Sequence, residues 1–139
     1  MSLGAPSVLL KASQDASIDE IKHAKMCYGL ASVFLEQEIA PGAFNVENSL
    51  DGLDVKGIIQ SFIQEGCVEE TLAAIEAHYR EYLAKDPGVK ATLKEIAEDE
   101  TRHAKLAWDT VNWITKKYPE SGSEIHSGGK ICLPRFILL

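Results

Sequence analysis

A seven-residue motif occurs twice in this chain, and it constrains both the fold and the chemistry. Residues 19–25 have the sequence DEIKHAK and residues 99–105 have the sequence DETRHAK, with five of the seven positions identical. Each copy contains Glu-x-x-His. Residues three apart lie on the same side of an α-helix, so a helical copy directs one carboxylate and one imidazole toward the same point. The motif therefore favours two helices whose polar side chains meet.

Proline and glycine residues divide the chain into three long segments in which small and apolar residues recur at helical spacing. This pattern predicts helices over about residues 6–37, 54–84 and 87–117, the last two capped by Asp54 and Asp86. Alternation of the kind expected for strands is not found, and 139 residues suit one domain. The predicted fold is all-α, with one helical domain over residues 1–118.

The connections between the predicted helices indicate how they run relative to one another. The short turn at residues 85–88 makes the second and third helices antiparallel neighbours. The connection over residues 39–53 is long enough to cross the bundle, which would make the first and second helices parallel. Residues 119–139 are rich in Ser and Gly and end in the apolar sequence ICLPRFILL, so a flexible tail is predicted there.

The apolar face of each predicted helix contains acid or histidine side chains at particular positions. Alternate steps of three and four residues place Glu20 and His23 on the buried face of the first helix, and Glu100 and His103 on that of the third. The same steps place Glu70 on the buried face of the second helix. We therefore expect three helices to direct these five side chains into one interior.

Each of these assignments has an alternative. Ser17-x-x-Glu20 matches a capping box, which would put Glu20 in the first turn of a helix with no role at a site. A single Glu-x-x-His motif is also compatible with a surface ion pair, although the repeat makes that interpretation weaker. In the second helix, Glu65 and Glu69 compete with Glu70, but Glu65 lies at the edge of the face and Glu69 points about 100° away.

Three carboxylates in one interior require nearby cations or protons, because burying an ionised carboxylate costs several kcal/mol unless it is paired. Glutamate oxygens and histidine nitrogens are suitable ligands for iron, manganese or zinc. Two divalent ions carry four positive charges and three carboxylates carry three negative charges, so the site would keep about one positive charge. The sequence therefore predicts a dinuclear metal site.

At these residues the chain resembles the ferritin-like superfamily, and most of all its small bacterial domains with an Asp-Glu-x-Arg-His-Ala signature in the last helix. That signature stands here at residues 99–104, and GCVEETL at residues 66–72 is similar to the family's second lone-glutamate helix. The resemblance spans about residues 3–113. It implies a four-helix bundle with a dinuclear iron or manganese centre for iron oxidation, oxygen or peroxide reduction, or substrate oxidation. Glu20 and His23 would hold one ion, Glu100 and His103 the other, and Glu70 would bridge or terminate the pair.

The family's first helix, which bears the other lone glutamate, has no counterpart in this sequence, because only 19 residues precede Glu20. Three helices of a four-helix bundle would leave an apolar groove, and such a surface favours self-association. We expect a homodimer or higher assembly in which a neighbour, or the apolar tail, covers the groove. Two alternatives stay open: a metal-free helical scaffold that has lost its site, and a chain that is a fragment of a longer product.

The charge and composition exclude several classes of partner. Fourteen basic and 21 acidic residues give a net charge of −7, which disfavours nucleic acid. No apolar run approaches the roughly 18–20 residues of a membrane span, and the first residues do not match a secretory signal. Three cysteines at irregular spacing suit reduced thiols. These observations predict a cytoplasmic protein with neither a nucleic acid nor a membrane as its partner.

Overall fold

The computed structural model describes residues 4–43, 45–47 and 54–120, and the secondary structure within them is entirely helical. Helix α1 spans Ser7–Leu35. A second, continuous helical rod consists of α2 (Val55–Ser61), a π-helical segment (Phe62–Glu69) and α3 (Glu70–Leu83), and we call it the α2–α3 rod. Helix α4 spans Pro87–Lys117. The all-α prediction with three long helices is confirmed.

Local chemistry explains where these helices begin. The carboxylate of Asp54 accepts a hydrogen bond from the Gly57 N–H at 2.7 Å, and that of Asp86 accepts one from the Val89 N–H at 2.9 Å. Helix α1 begins at Ser7, so Glu20 lies well inside it. The capping-box alternative for Glu20 is therefore wrong.

The π-helical segment is the main departure from the predicted second helix. An uninterrupted α-helix would repeat its buried face about every seven residues, whereas the fully buried Ile59 and Cys67 are eight residues apart. The wider winding accommodates one extra residue. Gly66 lies within this segment, and a Cβ atom there would be 2.7 Å from the Cβ of Ala107. The absence of a side chain at Gly66 therefore lets the rod approach α4 closely.

Helix α4 lies between the other two helical elements and is antiparallel to both. The short turn before Pro87 reverses the chain between α3 and α4. The Lys117 ammonium donates to the Gly4 carbonyl at 3.4 Å, while Lys22 further along α1 pairs with Glu95 near the start of α4. Helix α1 and the α2–α3 rod consequently run parallel, which agrees with the topology expected from the long connection.

The core is small and is concentrated on α4. Its buried apolar residues are mainly alanines, which permit close helix packing, together with Ile114 at 1% exposure. In α1, by contrast, His23 is the residue that is buried. Continued along α1 from Glu20 and His23, the same steps of three and four residues predict that Cys27 and Phe34 share the buried face, but Glu20, Cys27 and Phe34 are all exposed. The prediction fails because no helix in the described part of the chain covers that side of α1.

No helix within the described ranges combines the length and apolar character needed to cross a membrane. The predicted tail lies outside the described residues except for Pro119 and Glu120. Residues 48–53 of the predicted crossing connection lie outside them as well.

Candidate metal centre

The structure brings all five predicted site residues together between α1, α3 and α4. Their potential ligand atoms form two groups, within each of which the atoms lie no more than 4.8 Å apart. One group contains Glu20, His23 and Glu100, and the other contains Glu70, Glu100 and His103. Glu100 belongs to both groups, so its carboxylate occupies the position shared by two adjacent sites.

The Glu100 carboxylate lies between the two imidazoles, with one oxygen directed toward each. Its Oε1 is 3.3 Å from Nδ1 of His23, and its Oε2 is 3.4 Å from Nδ1 of His103. The Oε1 atom of Glu20 is 3.5 Å and 3.2 Å from the same two nitrogens. The family resemblance implied that Glu70 would bridge or terminate the pair. Here Glu100 takes the shared position. Glu20 lies near both nitrogens but, like Glu70, belongs to one group alone.

The opposite nitrogen of each imidazole contacts an aspartate from the other copy of the motif. Nε2 of His23 lies 3.0 Å from Oδ2 of Asp99, and Nε2 of His103 lies 3.2 Å from Oδ2 of Asp19. This exchange is possible because α1 and α4 are antiparallel, so each aspartate faces the histidine of the other helix. A hydrogen donated from Nε2 to aspartate leaves the Nδ1 lone pair directed inward, which is the arrangement found around metal-binding histidines.

Arg102 connects the two aspartates on the outside of the site. Its guanidinium lies 2.6 Å from Asp99 and 3.1 Å from Asp19. Burial alone would raise the pKa of Asp99, but hydrogen bonds from His23 and Arg102, together with their charges, lower it below its usual value. Asp99 therefore stays ionised and able to accept a hydrogen from His23.

The sequence interpretation missed these three positioning residues. Asp19 and Asp99 are identical positions of the repeat, and Arg102 lies within the second copy, so the signal was present. Steps of three and four residues do not place them on the buried face of either helix. Their role becomes clear when α1 and α4 are placed antiparallel, because each aspartate then faces the histidine of the other helix.

The interior of the site contains polar atoms that no other protein group pairs with in the described residues. Among the described residues, the buried side-chain atoms without a hydrogen-bond partner are Nδ1 of His23 and Oε2 of Glu100. Burial, the neighbouring Glu70 carboxyl and the charge of Glu20 raise the pKa of Glu100 to about 9. Inward lone pairs and converging carboxylates at these distances repel one another unless a positive charge lies between them. The donor set therefore fits a pair of metal ions.

The alternatives to Glu70 are not part of the cluster. Glu65 accepts a hydrogen bond from the Ser61 hydroxyl at 3.0 Å, and Glu69 accepts one from the Gln64 amide at 3.3 Å, and both carboxylates are exposed. Glu70 is half-buried beside Glu100 and His103. The π-helical segment ends immediately before Glu70 and sets the direction in which it points.

The two halves of the site differ in burial. The side chain of Glu100 is 10% exposed, whereas that of the equivalent Glu20 is 57% exposed. The α2–α3 rod covers α4 on the side of Glu100, and the described chain has no equivalent helix on the side of Glu20. A cavity of about 200 Å³ lies between α1, the α2–α3 rod and α4 and opens to solvent. It is lined by Ala16, Ser17, Glu20, Phe62, Gly66, Glu70, His103, Leu106 and Ala107.

Comparisons of this chain with protein-family models, curated proteins and solved structures found no match.

Proposed function

We propose that this protein is a ferritin-like metal protein with a dinuclear carboxylate and histidine centre, in which iron is the preferred ion and manganese or zinc can substitute. The observation that supports it best is the pair of inward Nδ1 atoms with the Glu100 carboxylate between them. Imidazole nitrogens and carboxylate oxygens are the donors that these metals use in helical bundles.

In this proposal, Glu20, His23 and Glu100 would hold one ion, and Glu70, Glu100 and His103 would hold the other. Bound iron would supply one-electron chemistry for oxidation reactions with dioxygen or peroxide. The chain's own residues orient the ligands: Asp99 and Asp19 hold the two imidazoles, and Arg102 holds the two aspartates. The open cavity beside Glu20 provides access to the centre from solvent.

Elemental analysis of the purified protein tests this proposal. We expect two iron or manganese ions per chain, and loss of metal in both His23→Ala and His103→Ala, because each removes a nitrogen ligand. His78→Ala is the matched control, since His78 is exposed and pairs with Glu81 away from the site. Unchanged metal content in both site variants would rule out the metal centre.

A metal-free helical scaffold is the second candidate. It is favoured by the raised pKa of Glu100, because a proton on this carboxyl would relieve its burial without any metal. Treatment with a chelator separates the two candidates. A large fall in melting temperature supports metal occupancy, because a bound ion stabilises the folded state, and an unchanged melting temperature supports the scaffold.

We also propose that the protein forms a homodimer in the cytoplasm and does not bind nucleic acid. Large apolar side chains are exposed on the outer faces of α1 and α3, which is typical of an association surface. They include Ile18, Ile21, Ile75, Tyr79 and Tyr82, each more than half exposed. Cys27 and Cys67 are free thiols, which fits a reducing compartment. Light scattering should give twice the chain mass of 15.2 kDa, and the mass of a single chain would contradict the dimer.

A further inference from the structure

The cavity beside the candidate metal centre has two chemically different ends. Phe62, Leu106 and Ala107 form apolar walls, while Glu20, Glu70 and His103 lie at the end nearest the centre. A molecule that fits this space would be mostly apolar and would present its polar group to the metal ligands. Ligand sites in proteins commonly combine apolar walls with a few polar groups that fix the ligand's orientation.

The charge at the centre indicates which polar group would be favoured. Three glutamates balance three of the four positive charges that two divalent ions would bring, so one positive charge is left. Each ligand group contains the shared Glu100, one further glutamate and one histidine, so the remaining positive charge would belong to the centre as a whole. A singly charged oxygen anion would balance that charge and add one ligand from the cavity.

We propose that the cavity binds a small monocarboxylate, either aromatic or short-chain aliphatic, with its carboxylate at the metal end and its hydrocarbon part between Phe62 and Leu106. This inference rests on the proposed metal centre. A dry cavity of about 150 Å³ can hold a benzene molecule. The cavity here, of about 200 Å³, therefore suits a ligand of about the size of benzoate.

Benzoate binding to the cobalt-loaded protein tests the inference, because cobalt(II) reports ligand exchange through its visible absorption. We expect benzoate to change this spectrum and to bind about tenfold more tightly than acetate, since its ring is buried in the cavity. Benzamide has a similar shape but no charge, so we expect it to leave the spectrum unchanged. Metal-free protein should bind none of the three.

A matched pair of variants locates the binding site. Ser17→Leu fills the cavity from its wall and should weaken benzoate binding about tenfold or more, while acetate binding and the cobalt content stay the same. Ser13→Leu makes the same change one turn earlier on α1, at an exposed position outside the cavity, and should have no effect.

The outcomes distinguish this inference from the proposed function. If cobalt binds but benzoate is no tighter than acetate, or if Ser17→Leu has no effect, the monocarboxylate site is overturned and the metal centre stands. The same conclusion follows if a neighbouring copy fills the cavity, because benzoate would then fail to bind the loaded dimer. If no cobalt binds, the proposed metal centre itself fails.

Discussion

The two copies of the repeated motif, residues 19–25 on α1 and residues 99–105 on α4, have the same key side chains in different surroundings. On α4, the positions Glu100, Ala107 and Ile114 are buried beneath the α2–α3 rod. Eighty residues earlier, the equivalent Glu20, Cys27 and Phe34 are exposed. The motif determines which side chains converge, whereas the neighbouring helix determines how strongly each is desolvated. The α4 half should therefore dominate both metal affinity and stability, and the predictions below test this difference.

The largest effect is expected from removing the shared carboxylate. Glu100→Ala should abolish binding of both ions, because Glu100 belongs to both ligand groups. Glu20→Ala should leave one ion bound, at the half that contains Glu70 and His103. Titration calorimetry with elemental analysis measures the stoichiometry of each variant, and Glu98→Ala at an exposed position of α4 is the control. If Glu20→Ala and Glu100→Ala lose the same number of bound ions, the two halves of the site do not differ as proposed.

The next effect concerns stability at equivalent apolar positions. Ile114→Ala should lower the free energy of unfolding by about 2–5 kcal/mol, because Ile114 is 1% exposed and its loss leaves a cavity. Phe34→Ala should change it by about 0.5 kcal/mol or less, because Phe34 is 66% exposed. Urea denaturation measures both. A cost for Phe34→Ala comparable to that of Ile114→Ala would show that a partner buries this side of α1 in solution.

Substitutions of the two aspartates should weaken metal binding to different extents, because Asp99 is more buried than Asp19. Asp99→Asn should weaken metal binding by about 10–100-fold, because it replaces the charged acceptor that holds His23 in its inward orientation with a neutral amide. Asp19→Asn should have a smaller effect, since Asp19 is more exposed and lies further from its histidine. Competition with a chelator of known affinity gives both values, and Asp109→Asn, which affects only an exposed pair with Lys105, is the control. A larger effect of Asp19→Asn than of Asp99→Asn would contradict the expectation that the α4 half dominates metal affinity.

The last effect is the dependence of the stability of the metal-free protein on pH. The folded state keeps a proton on Glu100 up to a pKa of about 9, whereas the unfolded chain loses it near 4.5. Between about pH 4.5 and pH 9 the unfolded state binds fewer protons than the folded state. The stability of the fold therefore decreases as the pH rises through this range. The full contribution of this proton to stability is present below about pH 4.5. We expect the melting temperature of metal-free protein to be higher at about pH 5 than at about pH 9.

Glu100→Gln should remove this pH dependence, and Glu98→Gln should retain it. Metal binding should respond to pH in the opposite direction, because the ion must displace the proton from Glu100 and therefore binds more weakly as the pH falls. A metal-free protein that is more stable at high pH would contradict the buried, protonated state of Glu100.

Much of the fold could be predicted from the sequence because it depends on local signals. Asp54 and Asp86 are caps that act within one turn, and the Glu-x-x-His spacing places its two side chains together whatever surrounds them. The exposure of Glu20 could not be predicted in this way, because periodicity identifies the face of a helix and not what covers it.

The π-helical segment and the exchanged aspartates needed information from other helices. The winding around Gly66 depends on how closely the rod approaches Ala107, which is a contact between distant parts of the chain. The Asp99 contact with His23 depends on the relative direction of α1 and α4. In both cases the relevant residues are visible in the sequence, but their partners are set by packing.

The extra residue in the π-helical segment has a consequence for how the chain tolerates changes in length. Deleting one residue between Phe62 and Glu69 would convert this stretch to an ordinary α-helix while Ile59 and Glu70 keep facing α4. The same deletion between Ala74 and Ala77 would rotate everything beyond it by about 100° and expose the face that packs on α4. Natural variation in the length of this rod should therefore be concentrated in the eight residues of the segment, immediately before Glu70.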